Sequence, residues 1–145
     1  MTVDQPAVDW TAPRADPATL RALWSAWVDA GLLRELDEAF AHFLMNQAPD
    51  ARPLAVALAA LCSAQLAYGH TCLVLPELAD TLALGTADMR GTRIRELAGL
   101  DPDTLIEALD ASGFVDAGDG SGPLVRDGPR LYLRRYWNAE RRVQA

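Results

Sequence analysis

The stretch from Pro53 to Tyr68, PLAVALAALCSAQLAY, is apolar on nearly every side of a helix and carries no charged residue. A helix with no polar face has no side to offer water, so it belongs in the middle of a helical domain with other elements packed around it. Its alanines let neighbouring helices approach closely, and Cys62 reads as a small hydrophobe. The apolar run from Leu54 to Cys62 is far shorter than the roughly 20 residues that a bilayer-crossing helix needs. A buried helix is the reading, not a membrane span.

Two amphipathic helices precede it. Asp16 is an N-cap and Pro17 a first-turn residue, followed by Leu20, Leu23, Trp24, Trp27 and Val28 at helical spacing until Gly31. This stripe predicts a core-facing helix. The next spans Leu33 to Gln47, with Leu33, Leu36, Phe40, Phe43 and Leu44 expected inward and Arg34, Asp37, Glu38 and His42 outward. Residues 1–15 mix Pro, Ala and Asp without periodicity and are expected to form a flexible leader, in which Trp10 is the one anchor candidate. The remainder, 16–143, reads as a single domain.

After the central helix, Thr71 to Leu75 reads as a short strand, and Pro76 opens a fourth helix over Glu77–Leu84. Between Gly85 and Leu100 the pattern fades, and Arg90, Arg93 and Arg95 form a small basic cluster expected in a solvated loop, the alternative being a short helical turn that carries Arg93, Arg95 and Glu96. Asp101-Pro102 starts another helix, continued through Thr104–Ser112 and ended by Gly113. Phe114-Val115 is a strand, and the run Gly118-Asp119-Gly120-Ser121-Gly122 reads as a mobile turn. Pro123–Arg126 and Arg130–Arg134 then form a β-hairpin about Asp127-Gly128. In its second strand Leu131 and Leu133 face the core, while Arg130, Tyr132 and Arg134 make a basic, aromatic outer face. A short helix, Tyr136–Val143, follows.

The wording PLVRDGPRLYLRRYWNAERRV at Pro123–Val143, with GHTCLVLPELA at Gly69–Ala79, resembles the N-terminal region of RecD, the alpha subunit of exodeoxyribonuclease V (RecBCD). The resemblance covers Leu33–Val143. It implies a docking domain placed ahead of motor domains that are absent from this chain. The parent would be an ATP-dependent 5′-to-3′ DNA helicase acting at double-strand breaks and using ATP and Mg²⁺. Its partners would be RecC, as the main neighbour, RecB and the RecD motor domains, with DNA reached only through the assembled complex. The residues expected at the partner interface are Tyr132, Arg134, Arg135, Tyr136, Trp137 and Arg141. For Trp137 the competing role is packing within its own domain, and self-association through the partner surface is a further expectation.

The order of elements over Pro53–Arg135 also resembles a winged helix. The fold class expected is therefore mainly α, a helical domain with a winged-helix-like arrangement and a small C-terminal β-hairpin. DNA-reading members present Arg, Lys, Asn or Gln from the third helix, whereas this one carries Asp101, Asp103, Glu107 and Asp110. Charge is divided along the chain: residues 1–120 have 7 Arg against 18 acids, and residues 121–145 have 6 Arg against 2 acids, with no lysine anywhere. An acidic body repels phosphate backbones. The alternative, a free-standing winged-helix DNA binder, leans on Arg126, Arg130, Arg134 and Arg135 of the hairpin segment.

No G-x-x-x-x-G-K-[ST] loop, G-x-S-x-G elbow or His-Glu-x-x-His pair occurs. His70 and Cys72 stand close together but lack the second pair that a zinc site needs. No catalytic, cofactor-binding or metal-binding residue is expected in this chain. Two cysteines, without a signal peptide, fit a reducing cytoplasm.

Overall fold

The computed structural model describes residues 7–78 and 92–144. Its centre is α3 (Pro53–Ala64), every residue of which is buried, as an all-round apolar helix requires. A 3₁₀ turn, Gln65–Tyr68, prolongs it, and Gly69 ends it with a φ of +84°. Around it stand α1 (Pro17–Asp29), α2 (Glu35–Gln47), α4 (Thr92–Ala98) and α5 (Pro102–Asp110), together with strands β1 (Cys72–Val74), β2 (Val115–Asp116), β3 (Leu124–Asp127) and β4 (Arg130–Leu133), and a final helix α6 (Arg134–Gln144). The fold is mostly helical with one small sheet.

The four strands run in the order β1-β4-β3-β2. β1 and β3 flank β4 in antiparallel register, with Leu73 and Arg126 both opposite Leu131, while β2 joins β3 in parallel. Gly128 takes a φ of +58° at the hairpin tip, where Asp127 pairs with Arg130. Glycine at the first central position suits a two-residue turn of the primed kind, and Pro129 supplies the second. One face of the sheet, with Leu73, Leu124 and Leu131, joins the main core around α3. Cys62 is buried there, its Sγ donating to the Leu131 carbonyl at 3.3 Å. Burial pushes this thiol up to about 12.

Tryptophans close the other end of the core. Trp24 and Trp27 meet edge-on with ring centroids 5.3 Å apart, and Trp10 lies 6.1 Å from Trp27. The Trp24 indole N–H points to the Met45 sulfur at 3.3 Å. Trp10 Nε1 donates to the Arg93 carbonyl at 3.1 Å. The stretch expected to be a leader thus contributes Val8 and Trp10 to the core. The aromatic stripe of α1 is core, as expected.

Four expectations are corrected. α2 differs in part from its expected facing: Leu33 and Leu44 are buried and Phe40 is half-buried, as expected, whereas Leu36 is 65% and Phe43 48% exposed and Asp37, expected outward, is buried. His42, expected outward, is half-buried. The cause is an ion network at the helix start. Asp37 accepts from the Arg34 backbone N–H at 2.8 Å, from the Arg34 guanidinium at 2.8 and 3.0 Å, and from Ser63 Oγ at 2.6 Å. Arg34 also reaches the Ser63 carbonyl at 3.0 Å. A buried carboxylate with these partners is satisfied, and it turns the helix so that its neighbour Leu36 points away.

The second correction falls within the expected loop: residues 92–98 form α4, which buries Ile94 and Leu97 one turn apart. Third, the outer face of the hairpin is covered. Val125 and Tyr132 on that face pack with Trp137 of α6, and Cys72 borders them. Fourth, Gly118–Gly122 is tied down rather than loose, as described below. The fourth helix expected over Glu77–Leu84 lies mostly outside the described residues; before them, Leu75–Glu77 is a 3₁₀ turn. No helix among the described residues is long and apolar enough to cross a membrane.

Replacing Asp37 with Ala removes the cap on the α2 N-terminus and leaves the buried Ser63 hydroxyl without its acceptor. The expected loss is about 2–4 kcal/mol of unfolding free energy by urea titration. Leu36→Ala, at an exposed position, is expected to change it by less than about 0.5 kcal/mol.

Candidate functional site

The six residues expected at a partner interface lie on β4 and α6, and the structure divides them. Helix α6 follows β4 directly, Arg134 succeeding Leu133. The turn between strand and helix puts Trp137 back over the sheet, where its ring meets Tyr132 edge-on at 5.4 Å. Both rings are buried. Tyr132 and Trp137 therefore serve the chain's own packing, the role that competed for Trp137. Arg141, one turn further, places its guanidinium over the Trp137 ring at 5.0 Å. Glu140 accepts from Thr71 Oγ1 at 3.0 Å and so ties the helix back to the start of the sheet.

Arg134 points inward. It donates to the Gly122 carbonyl at 2.9 Å and to the Asp116 carboxylate. Asp116 also accepts backbone N–H groups from Gly118 at 2.8 Å, Gly122 at 3.0 Å and Gly120 at 3.4 Å. The glycine run is wound round one carboxylate that an arginine neutralises. Burial opposes ionisation of Asp116, but the hydrogen bonds from Gly118, Arg134 and Gly122 outweigh it and hold its pKa below the ordinary 3.8. Gly118 has a φ of +107°, and a Cβ there would lie 2.9 Å from the Trp137 ring. Loop, Arg134 and Trp137 thus form one interlocked unit. A signal for it was present in the sequence, since Asp116 is followed by Gly118, Gly120 and Gly122 at every second position. Composition alone made this spacing look like a slack tip.

The other arginines set the charge that remains. Arg126 makes a two-pronged contact with Asp110, 2.7 Å on each arm, and Arg52 pairs with Glu107 at 3.4 Å. The hydrogen bond to Asp110 holds the Arg126 pKa above its ordinary value. Two carboxylates of α5 are thereby occupied by arginines of the same chain. Of the four arginines behind the DNA-binding alternative, Arg126 and Arg134 are consumed internally. Arg135 and Arg141 are exposed, with Arg135 5.4 Å from the half-buried Tyr136 ring, and neither has a carboxylate partner among the described residues.

Residues 29–132 match the family described as RecBCD enzyme subunit RecD, N-terminal domain. The chain belongs to the RecD N-terminal domain family. The match runs from the end of α1 to Tyr132 within β4 and stops short of Arg134, Arg135, Tyr136, Trp137 and Arg141, so it carries no information on these five positions. No curated protein matches the chain. Membership of the RecD family agrees with the resemblance in the wording of Gly69–Ala79 and Pro123–Val143.

Gly118→Ala is expected to cost about 1–3 kcal/mol, from backbone strain and the clash with Trp137, read as a lowered melting temperature. A depressed carboxylate contributes stability that is complete above its unfolded pKa and is lost as pH falls through the folded value. Asp116 should therefore stabilise the fold fully above about pH 5 and progressively less below 3.8. Urea midpoints of Asp116→Asn measured across this range are expected to show a shallower acid decline than those of the unaltered chain.

Proposed function

We propose that this chain is the N-terminal docking domain of a RecD-like subunit, holding that subunit in the RecBCD helicase-nuclease. The family match over residues 29–132 carries this reading. ATP-dependent 5′-to-3′ unwinding at double-strand breaks, with ATP and Mg²⁺, then belongs to the motor domains of that subunit and not to residues 1–145. RecC is the main neighbour, RecB and the RecD motor complete the set, and the setting is cytoplasmic. DNA is met only through the assembled complex.

The winged-helix-like reading belongs to the same proposal. It is supported by the order α3, β1, α4, α5, β2, β3, β4 and by a sheet in which β4 lies between β1 and β3. In that arrangement α5 occupies the place of a DNA-reading helix. Its outward residues Asp103, Glu107 and Asp110 would face phosphates of the same sign, and arginines that would offset them are already paired with Glu107 and Asp110. Such a surface favours docking on protein over DNA recognition.

Within the proposed interface Arg135, Tyr136 and Arg141 make the contact, while Tyr132, Arg134 and Trp137 hold them in place. Co-expression with RecC and RecB should yield a co-purifying complex, and Arg135→Glu with Arg141→Glu should weaken it about tenfold or more. Absence of a complex at micromolar concentrations would overturn the docking reading. Steeply salt-dependent binding of the chain to duplex DNA would favour the DNA binder instead.

A further inference from the structure

Helix α2 directs its residues against the usual preference. Its sequence offers Leu36 and Phe43, two turns apart and therefore on one stripe, yet both are largely exposed, with Ala39 exposed and Phe40 half-buried beside them. The side turned inward carries Asp37, fully buried among Arg34 and Ser63. A carboxylate inside and a leucine and phenylalanine outside cost desolvation on one side and waste apolar burial on the other. The arrangement makes sense where another surface covers the stripe. The network also fixes the rotation of the helix, so the stripe is presented at one angle rather than left to roll inward.

Its surroundings identify the kind of surface. Glu35 and Glu38 flank Leu36, and neither has a cationic partner among the described residues. A complementary patch is apolar at its middle and carries arginine or lysine opposite the start of α2. A second copy of this chain fits poorly. α2 has 13 residues and is about 20 Å long; two such helices face to face fall short of the roughly 1,000 Å² that a specific interface needs. A larger protein, whose surface extends past the helix on either side, supplies more area.

We infer that the Leu36-Ala39-Phe43 stripe of α2 is a docking surface for an apolar, basic-rimmed patch on another subunit of the assembly. This rests on the docking reading above and deepens it by naming a second face.

The test is capture of co-expressed RecC and RecB by four versions of the chain: unaltered, Leu36→Ser with Phe43→Ser, Glu35→Lys with Glu38→Lys, and Arg135→Glu with Arg141→Glu. Circular dichroism and melting temperature are recorded for each. Because Leu36 and Phe43 are exposed, the serine pair should melt within a few degrees of the unaltered chain while capture weakens about tenfold or more. The lysine pair should also weaken capture, and more so at low salt. Full capture by the serine pair would overturn this inference and leave the docking reading standing. Failure of the unaltered chain to capture anything would overturn both. Concentration-dependent dimerisation that disappears in the serine pair would assign the stripe to a second copy and overturn the inference as stated.

Discussion

The fold follows from the need to keep water away from every side of α3. One helix or sheet covers only one side of a cylinder, so this need alone calls for a surrounding shell. α2 and α5 lie against it, and the sheet meets it through β1 and β4. Because β4 is an inner strand of the sheet and touches α3, the hairpin is part of the wall rather than an appendage. Its far face then presents a row, Val125, Tyr132 and Cys72, that needs a cover of its own. α6 provides it with Trp137, and the second small core exists because the first one needed β4.

Much of this was legible in the residues, and the misses have physical causes. α1 is legible because its burial follows helical spacing, and α3 because an apolar run with no polar face has only the interior to go to. The hairpin read true because Gly128 supplies the positive φ that its turn demands. In α2 the facing of Leu36 and Phe43 was not legible, because hydrophobicity alone does not decide which way a helix faces. A capping carboxylate with two strong partners decided it instead, and that contest depends on Ser63, 26 residues away in sequence. At α4 the alternative of a short helical turn is nearer than the expected loop; two buried residues, Ile94 and Leu97, are too few to make a clear pattern in a short window.

Of the residues expected at a partner interface, Tyr132, Arg134, Arg135, Tyr136, Trp137 and Arg141, only some face solvent. Which of them point out depends on tertiary partners that no local pattern announces: Asp116 for Arg134, Tyr132 for Trp137. Charge counting misled in a related way. A basic tail of six arginines offers fewer to a ligand once Asp110 and Asp116 have taken two of them. Net charge is a sum over residues, whereas recognition depends on those left facing solvent.

The placement of the tryptophans has an optical consequence. Trp10, Trp24 and Trp27 form one cluster at the α1 end, beside the Met45 sulfur, and Trp137 sits alone between the sheet and α6 under Arg141. Intrinsic emission from this molecule is thus the sum of two spatially separate reporters. One registers whether the N-terminal residues are seated on the helical core, and the other whether the last helix is closed on the sheet.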